Sequence, residues 1–300
     1  MTSGWHFHDD ARDFLTEAAG YLAADPVELT VLTAWATREA RQRDAGEWTA
    51  PDFDVWYAVH RSGLAIDAVA MRTAPFEPHP LWVPTMREDT ARALGAAWVA
   101  RGEVAQGGRY GVNGSGPAAA QCAEEVARAC GGRIHVGMHT RLFRLDEVDW
   151  PARPTGGLRA VEPADHAWVT QWLERFHAEA DEQSGRAPVV RTESVLNPEE
   201  VRMRIDDGRF WVFEVDGEPV HLTGVGRAAF GVARIGPVFT PQQHRGRGYA
   251  GWVVAELSAR LLAEGDVPVL NTDQANPVSN GVYQSIGYTP VADHVQLLIR

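Results

Sequence analysis

The order of predicted elements recurs along the sequence, and this repetition favours a two-part α/β architecture. Hydrophobic periodicity predicts, in each half, a strand, a helix, a short strand, a helix that begins with proline, and a long strand. These elements begin at Leu81, Arg87, Arg109, Pro117 and Ile134 in the first half, and at Val232, Gly248, Val267, Pro277 and Val291 in the second. The halves share little sequence, so a chance match of element order is left open beside an internal duplication.

A segment rich in proline and glycine separates the two halves. Residues 151–157 have the sequence PARPTGG, which is typical of a linker. A chain of 300 residues is also long enough for two domains. We therefore predict a first domain over residues 1–150, a linker over 151–157 and a second domain over 158–300.

Composition argues against several kinds of chemistry and partner. All 28 basic residues are arginines, which rules out a Schiff-base lysine, a P-loop lysine and a lysine nucleophile. A net charge of −12, with neither half basic, disfavours nucleic acid as a partner. The sequence has no apolar stretch of about 18 residues and no secretory signal, so no membrane partner is expected. Together these features predict a cytoplasmic protein.

The two cysteines do not suggest a disulfide or a metal site. Cys122 and Cys130 lie in one predicted helix, where a rise of about 1.5 Å per residue separates them by roughly 12 Å. Neither has the neighbouring thiols or histidines that a zinc site needs. We expect reduced, buried thiols and no metal.

A glycine-rich loop lies between the predicted strand Val232–Phe239 and a predicted amphipathic helix. Glycines let the backbone curl so that several amides point into one concavity, and the N-terminus of the helix adds about half a positive charge. Arg245 and Arg247 are suited to charge-assisted hydrogen bonds with a polyanion. The loop therefore predicts a phosphate site, with a turn carrying solvated arginines as the structural alternative. Its sequence is Gln243-His244-Arg245-Gly246-Arg247-Gly248.

The same glycines also match a dinucleotide-binding pattern. Gly246, Gly248 and Gly251 spell Gly-x-Gly-x-x-Gly, and Asp273 follows at roughly the spacing of a ribose-binding acid. In that motif, however, the glycines follow the strand directly, whereas residues 240–245 intervene here. Too few strands follow to complete a doubly wound sheet, so a dinucleotide site is disfavoured.

A second group of polar residues lies on the predicted helix that begins at Pro277. Asn276 precedes this helix as its cap, and Gly287 ends it. Asn280 and Tyr283 follow Asn276 at offsets of four and seven, so the three side chains share one helix face. Capping explains Asn276 alone and leaves the alignment of the other two unexplained.

The two motifs together resemble the GNAT superfamily of acyl-CoA-dependent N-acetyltransferases. The resemblance lies in Gln243-x-x-Gly246-x-Gly248 at a strand-to-helix turn, then Asn276, Tyr283 and Gly287-Tyr288, within about residues 232–299. The wider element order is similar to that of tandem GNAT proteins. The resemblance implies an α/β (α+β) fold of two GNAT-like domains in tandem, each a mixed, mostly antiparallel sheet flanked by helices.

The resemblance also implies roles for particular residues. Main-chain amides at Val238, Phe239 and Thr240 would pair with the pantetheine arm of acetyl-CoA, and Asn276 and Asn280 would lie along the cofactor. The loop and the first turn of the helix would hold the pyrophosphate, through Gln243, His244, Arg245, Gly246, Arg247, Gly248, Tyr249 and Ala250. Tyr283 would lie near the sulfur as general acid.

The expected chemistry is direct attack of an amine on the thioester. A phenol with a pKa near 10 is suited to protonate a thiolate whose conjugate acid has a pKa near 8.5, about two units apart. His221, Asp273 and Glu214 are open alternatives for the base. The acceptor is expected to be a small-molecule or peptide amine, the acidic surface favours a cationic one, and residues 182–192 are expected to influence its choice.

The first half departs from the GNAT pattern at the phosphate loop. After the strand that begins at Leu81, the sequence continues Thr85-Met86-Arg87-Glu88-Asp89. Carboxylates at a helix N-terminus repel pyrophosphate. We therefore expect residues 1–150 to be a degenerate GNAT-like domain without cofactor. A non-catalytic acyl-CoA-binding or regulatory protein is the alternative function, and an oligomeric state is left open.

Overall fold

The computed structural model describes residues 4–183 and 198–300, and these form two units. Unit 1 runs to Leu142 and also includes Val291–Arg300, whereas unit 2 is Phe143–Pro290. The predicted domain boundaries differ from this division, because they group residues 291–300 with the second domain. Of the stretch expected to influence acceptor choice, residues 184–192 lie outside the described residues.

Two repeats of ten elements make up the described chain, each in the order strand, two helices, three strands, helix, strand, helix, strand. The first contains β1 (Gly4–His8), α1 (Ala11–Ala24), α2 (Thr30–Asp44), β2 (Trp56–Ser62), β3 (Ala65–Arg72), β4 (Leu81–Val83), α3 (Glu88–Ala100), β5 (Tyr110–Ser115), α4 (Gly116–Cys130) and β6 (Ile134–Arg144). The second contains β7 (Gly157–Ala160), α5 (His166–Gln183), α6 (Pro198–Asp206), β8 (Phe210–Val215), β9 (Glu218–Val225), β10 (Val232–Phe239), α7 (Tyr249–Glu264), β11 (Val267–Asp273), α8 (Pro277–Ser285) and β12 (Thr289–Ile299). The recurring order predicted from the sequence is confirmed. It extends to β1 and β7, which the hydrophobic pattern did not reveal.

Unit 1 is a mixed sheet with strand order β1-β2-β3-β4-β5-β12-β6. β4 and β5 are parallel, while β12 runs antiparallel to β5, with His294 opposite Ser115. Helices α3 and α4 bury Leu94, Trp98 and both cysteines in one core. Cys122 and Cys130 are free thiols, as expected for buried cysteines.

Unit 2 contains a sheet of order β11-β10-β9-β8-β7, in which only β10 and β11 pair in parallel. Helix α7 packs on one face, against Phe213 of β8 and Ile235 of β10. Helices α5 and α6 pack with Val212 in a separate core, on the opposite face because successive strand residues alternate. The predicted fold class is confirmed. No helix in the described part of the chain is long and apolar enough to cross a bilayer.

Candidate active site in unit 2

The central feature of the site is a fork between β10 and β11. The two strands pair only over Val232–Arg234 and Val267–Val269. β10 continues to Phe239 and β11 to Asp273 without pairing further with each other, and the pairing of β10 with β9 is irregular between Ile235 and Val238. Residues 235–239 therefore leave a strand edge open toward β11, where an extended ligand can add main-chain hydrogen bonds. Val238 and Phe239, whose amides are predicted to pair with a pantetheine arm, lie on this edge, and Thr240 follows it.

The glycine-rich loop connects β10 to the N-terminus of α7. Gly246 and Gly248 adopt φ values of +74° and +80°. A Cβ at either position would meet nothing within 4 Å, so glycine is required by the backbone conformation and not by crowding. The amides of Gly246–Gly251 donate to no acceptor among the described residues. Unpaired amides at a helix N-terminus form an anion-binding site, and the loop therefore has the geometry expected for phosphate.

The side chains of the loop make few contacts of their own. The Arg245 guanidinium donates to the Thr240 carbonyl at 3.0 Å and forms an ion pair with Glu179 of α5. Arg247 lies 3.5 Å from the carbonyl of Gln243. The Nδ1 atom of His244 is buried without a hydrogen-bond partner among the described residues.

The first residues of α7 differ in environment. The Tyr249 side chain is buried in the core beneath α7, and Ala250 is half-buried. If either residue contacts a bound anion, it does so through its amide.

The polar residues before and on α8 hold the helix against β11. The Asn276 side chain caps α8 by accepting from the amide of Ser279 at 3.1 Å. Asn280 donates to the carbonyls of Asn276 at 2.9 Å and Asp273 at 3.2 Å, and its Oδ1 accepts from Thr272. A carboxylate oxygen of Asp273 accepts from the amide of Ala275 at 2.8 Å. These bonds give all three residues positioning roles, and the predicted contacts of Asn276 and Asn280 with a cofactor stay predictions.

Two buried tyrosines lie side by side at the end of α8, with ring centroids 6.1 Å apart. The Tyr288 hydroxyl is hydrogen bonded to Ser258 at 2.8 Å, whereas the Tyr283 hydroxyl has no hydrogen-bond partner among the described residues. Burial raises the pKa of Tyr283 well above its ordinary value, because the phenolate is poorly solvated. Tyr283 therefore keeps its proton, and its hydroxyl is free to donate.

The three candidate bases are all engaged by neighbouring groups. His221 is fully buried, and its two ring nitrogens lie 2.7 Å from the hydroxyls of Thr240 and Thr223. Burial lowers the pKa of His221 to about 3, so the ring is neutral at pH 7. Glu214 is paired with Arg159 at 2.6 Å. The Asp273 carboxylate accepts a hydrogen bond from the amide of Ala275.

Two residues of the fork had no role assigned from the sequence. Arg234 and Asn271 each interrupt an apolar strand, which is the signal that would have identified them. No group of three or more metal-ligating side chains is found within residues 4–183 and 198–300.

Comparison with known proteins supports the fold. A family model described as FR47-like protein matches residues 223–296. No curated protein gives a significant match. Several solved structures match nearly the whole chain, among them the following three. A Drosophila protein is 12% identical, with a TM-score of 0.66, and covers 99% of this chain and 98% of its own. A GCN5-related N-acetyltransferase from Sphaerobacter thermophilus is 17% identical, with a TM-score of 0.54 and coverages of 98% and 95%.

The third structure is a tandem GNAT protein from the clavulanic acid biosynthesis pathway. It is 13% identical, with a TM-score of 0.53, and covers 99% of this chain and 98% of its own. At such low identity the similarity shows the fold and leaves the reaction to be argued from the site. The resemblance found in the sequence is confirmed, and the chain has the fold of the GNAT acetyltransferases, with two GNAT units in tandem.

Proposed function

We propose that this protein is an acetyl-CoA-dependent N-acetyltransferase whose active site lies in unit 2. The observation that carries the proposal is the run of unpaired amides over Gly246–Gly251, at the N-terminus of α7 and directly after the open edge of β10. The amides suit a pyrophosphate, and the open edge suits a chain that carries amide groups, such as pantetheine. A ligand that carries both a pyrophosphate and a pantetheine chain, as acetyl-CoA does, fits the unpaired amides and the open edge together.

The reaction requires no covalent enzyme intermediate. The amine nitrogen attacks the thioester carbonyl carbon, a C–N bond forms, and the C–S bond breaks. The nitrogen loses one proton and the departing sulfur gains one, so the products are an amide and free coenzyme A. The protein contributes by holding the thioester in position and by supplying the proton at sulfur.

Tyr283 is the proton donor in this proposal. Its hydroxyl has no partner to displace, and burial raises its pKa. The same apolar surroundings disfavour a free thiolate, so the pKa of the leaving thiol shifts upward as well. Proton transfer from the phenol to sulfur is therefore favoured where the C–S bond breaks.

The amine proton leaves to water in this proposal, and the Tyr283 phenolate regains a proton from water after the thiol has formed. The imidazole of His221 is buried, neutral and bonded at both nitrogens. Glu214 and Asp273 are held by Arg159 and by the Ala275 amide. The protein then acts on amines that enter the cleft as the free base.

Unit 1 has no role in binding acetyl-CoA in this proposal. At the start of α3, the Asp89 carboxylate accepts from the amide of Thr90 at 2.8 Å and pairs with Arg87. A carboxylate therefore already lies at the helix N-terminus that corresponds to the start of α7. A pyrophosphate there would be repelled.

A paired substitution tests the enzyme against the alternative, a non-catalytic acyl-CoA-binding protein. We expect Tyr283→Phe to bind acetyl-CoA with unchanged affinity in calorimetry and to lower kcat about 100-fold or more. Tyr288→Phe is the matched control, because it removes a neighbouring buried hydroxyl that is already hydrogen bonded. It should lower the free energy of unfolding by about 1 kcal/mol and leave kcat unchanged. Acetyl-CoA binding without release of thiol in the presence of any amine would favour the binding protein.

A further inference from the structure

Two polar groups at the fork have no partner, and they lie on facing strands. The Arg234 guanidinium on β10 makes no hydrogen bond or ion pair with any residue that the structure describes. The Oδ1 atom of Asn271 on β11 is buried, also without a partner among the described residues. A buried polar atom without a partner, such as Asn271 Oδ1, is uncommon in folded proteins, and a bound molecule is one explanation for it.

Both residues lie on the sheet face opposite α7. Ala233 and Ile235, the neighbours of Arg234, pack in the core beneath α7, so alternation along the strand places Arg234 on the other face. Leu270 packs in the same core, which places Asn271 on the face of Arg234.

The face that carries Arg234 and Asn271 is the one covered by α5 and α6. Trp172 of α5 contacts Phe239 with ring centroids 5.7 Å apart. Arg204 of α6 reaches the carbonyl of Gly236 at 3.5 Å. The two helices therefore border the open part of β10 on this face.

Arg234 also marks the point at which the strands separate. Its partner Val269 belongs to the last pair between β10 and β11, and Asn271 lies two residues further along β11. Strand geometry puts the Cα atoms of Arg234 and Asn271 roughly 8 Å apart. The two side chains are therefore diagonal neighbours on one face, at the point where β10 and β11 separate.

The surroundings of Arg234 suit a charged ligand. Its side chain is partly accessible to solvent, yet burial lowers its pKa to about 10. The guanidinium is still charged at neutral pH. A bound anion would offset the desolvation of this charge, which no carboxylate of the described chain does.

From this geometry we infer that the acceptor is an amine that also carries a carboxylate, with Arg234 binding the carboxylate and Asn271 Oδ1 accepting an N–H of the amine. The inference rests on the proposed acetyltransferase function. A single planar guanidinium matches a carboxylate through two parallel hydrogen bonds. The overall charge of −12 does not oppose it, because the Arg234 guanidinium supplies a positive charge where the carboxylate would bind.

The test compares amines that differ only in the carboxylate. Release of thiol from acetyl-CoA is measured with the full chain and the common L-amino acids, each beside its decarboxylated amine. β-Alanine and phosphoethanolamine form a further pair that exchanges carboxylate for phosphate. We expect kcat/KM to be at least 10-fold higher for the carboxylate member of each pair that reacts.

Substitution of the arginine localises the effect. Arg234→Gln should raise KM for the amine at least 10-fold and remove the preference for carboxylate, while the Kd for acetyl-CoA in calorimetry changes less than twofold. Arg202→Gln on α6 is the control, because Arg202 is an exposed cation paired with Glu199. Arg202→Gln should alter neither the KM for the amine nor the Kd for acetyl-CoA.

The possible outcomes separate the inference from the proposed function. Failure of the unsubstituted protein to bind acetyl-CoA would reject the proposed function and the inference with it. Binding of acetyl-CoA with equal or better reaction of decarboxylated or phosphorylated amines, or with no amine reacting, would overturn the inference. An Arg234→Gln protein that keeps the carboxylate preference would also overturn it.

Discussion

Replacing Gly246 by glutamate should abolish acetyl-CoA binding without unfolding the protein. Gly246 lies in the loop with φ of +74°, its surroundings are open, and its amide has no acceptor among the described residues. A glutamate at this position has two effects, backbone strain and electrostatic repulsion. It forces a residue with a Cβ into the left-handed region, and it places a negative charge beside the predicted pyrophosphate site.

The expected loss follows from those two effects. The left-handed backbone costs about 1–2 kcal/mol for a residue other than glycine, and this cost enters the Kd because the substituted loop relaxes in the free protein and must return to φ near +74° to bind. A carboxylate about 5 Å from one phosphate charge adds about 3 kcal/mol of repulsion at an effective dielectric constant near 20. Together they amount to about 4–5 kcal/mol, or a roughly thousandfold weaker Kd. Calorimetric titration with acetyl-CoA measures this value directly.

Two variants separate strain from charge. Gly246→Gln keeps the backbone strain without the charge and should weaken binding only about 5- to 30-fold. Gly208→Glu introduces the same side chain at another exposed glycine, with φ of +66° and open surroundings, in the turn after α6. It should lose stability but bind acetyl-CoA normally. If Gly246→Glu bound within threefold of the unsubstituted protein, the loop would not be the pyrophosphate site.

Three further predictions concern charge, pH and packing. Glu179→Gln should strengthen acetyl-CoA binding about two- to fivefold in calorimetry, because it frees Arg245 from a half-exposed ion pair; weaker binding would contradict this. The pKa of His221 is about 3 in the folded protein against an ordinary 6.5, so the unfolded chain binds more protons and the free energy of unfolding should fall as pH drops from about 6.5 toward 3. Urea titrations should show a shallower fall for His221→Gln, and an equal fall would assign the effect to other groups. Gly287→Ala should lose about 2–4 kcal/mol in urea unfolding, because φ is +101° and a Cβ would lie 2.6 Å from the carbonyl oxygen of Glu147, whereas Gly281→Ala in the open interior of α8 should gain up to about 1 kcal/mol.

Local patterns were sufficient to predict β10 and α7, the two elements that the glycine-rich loop connects. The predicted strand Val232–Phe239 coincides with β10, and the helix predicted to begin at Gly248 begins at Tyr249 as α7. Both have a clear hydrophobic periodicity, and turn residues or glycines mark their ends. The stripe on α7 that includes Trp252 and Leu257 is buried as its spacing predicted.

Features that depend on distant partners were not visible in the sequence. β1 and β7 are short and acquire their structure by pairing with β2 and β8, so their own residues carry little signal. The ion pair of Arg245 with Glu179 joins residues 66 apart. The environment of His221 depends likewise on Thr240. The resemblance implied that Asn280 lies along a cofactor, but only the fold shows that its amide bonds to Asp273 and Asn276.

The position of β12 bears on how the protein is made and how it can be cut. This strand closes onto β5 through contacts such as Gln296 with Asn113, across a loop of about 180 residues, and closing so long a loop is entropically slow. During synthesis, unit 1 therefore lacks one of its strands until residues 289–299 have left the ribosome. Cleavage or truncation that removes β12 would leave β5 with an unpaired edge, which is a site for aggregation.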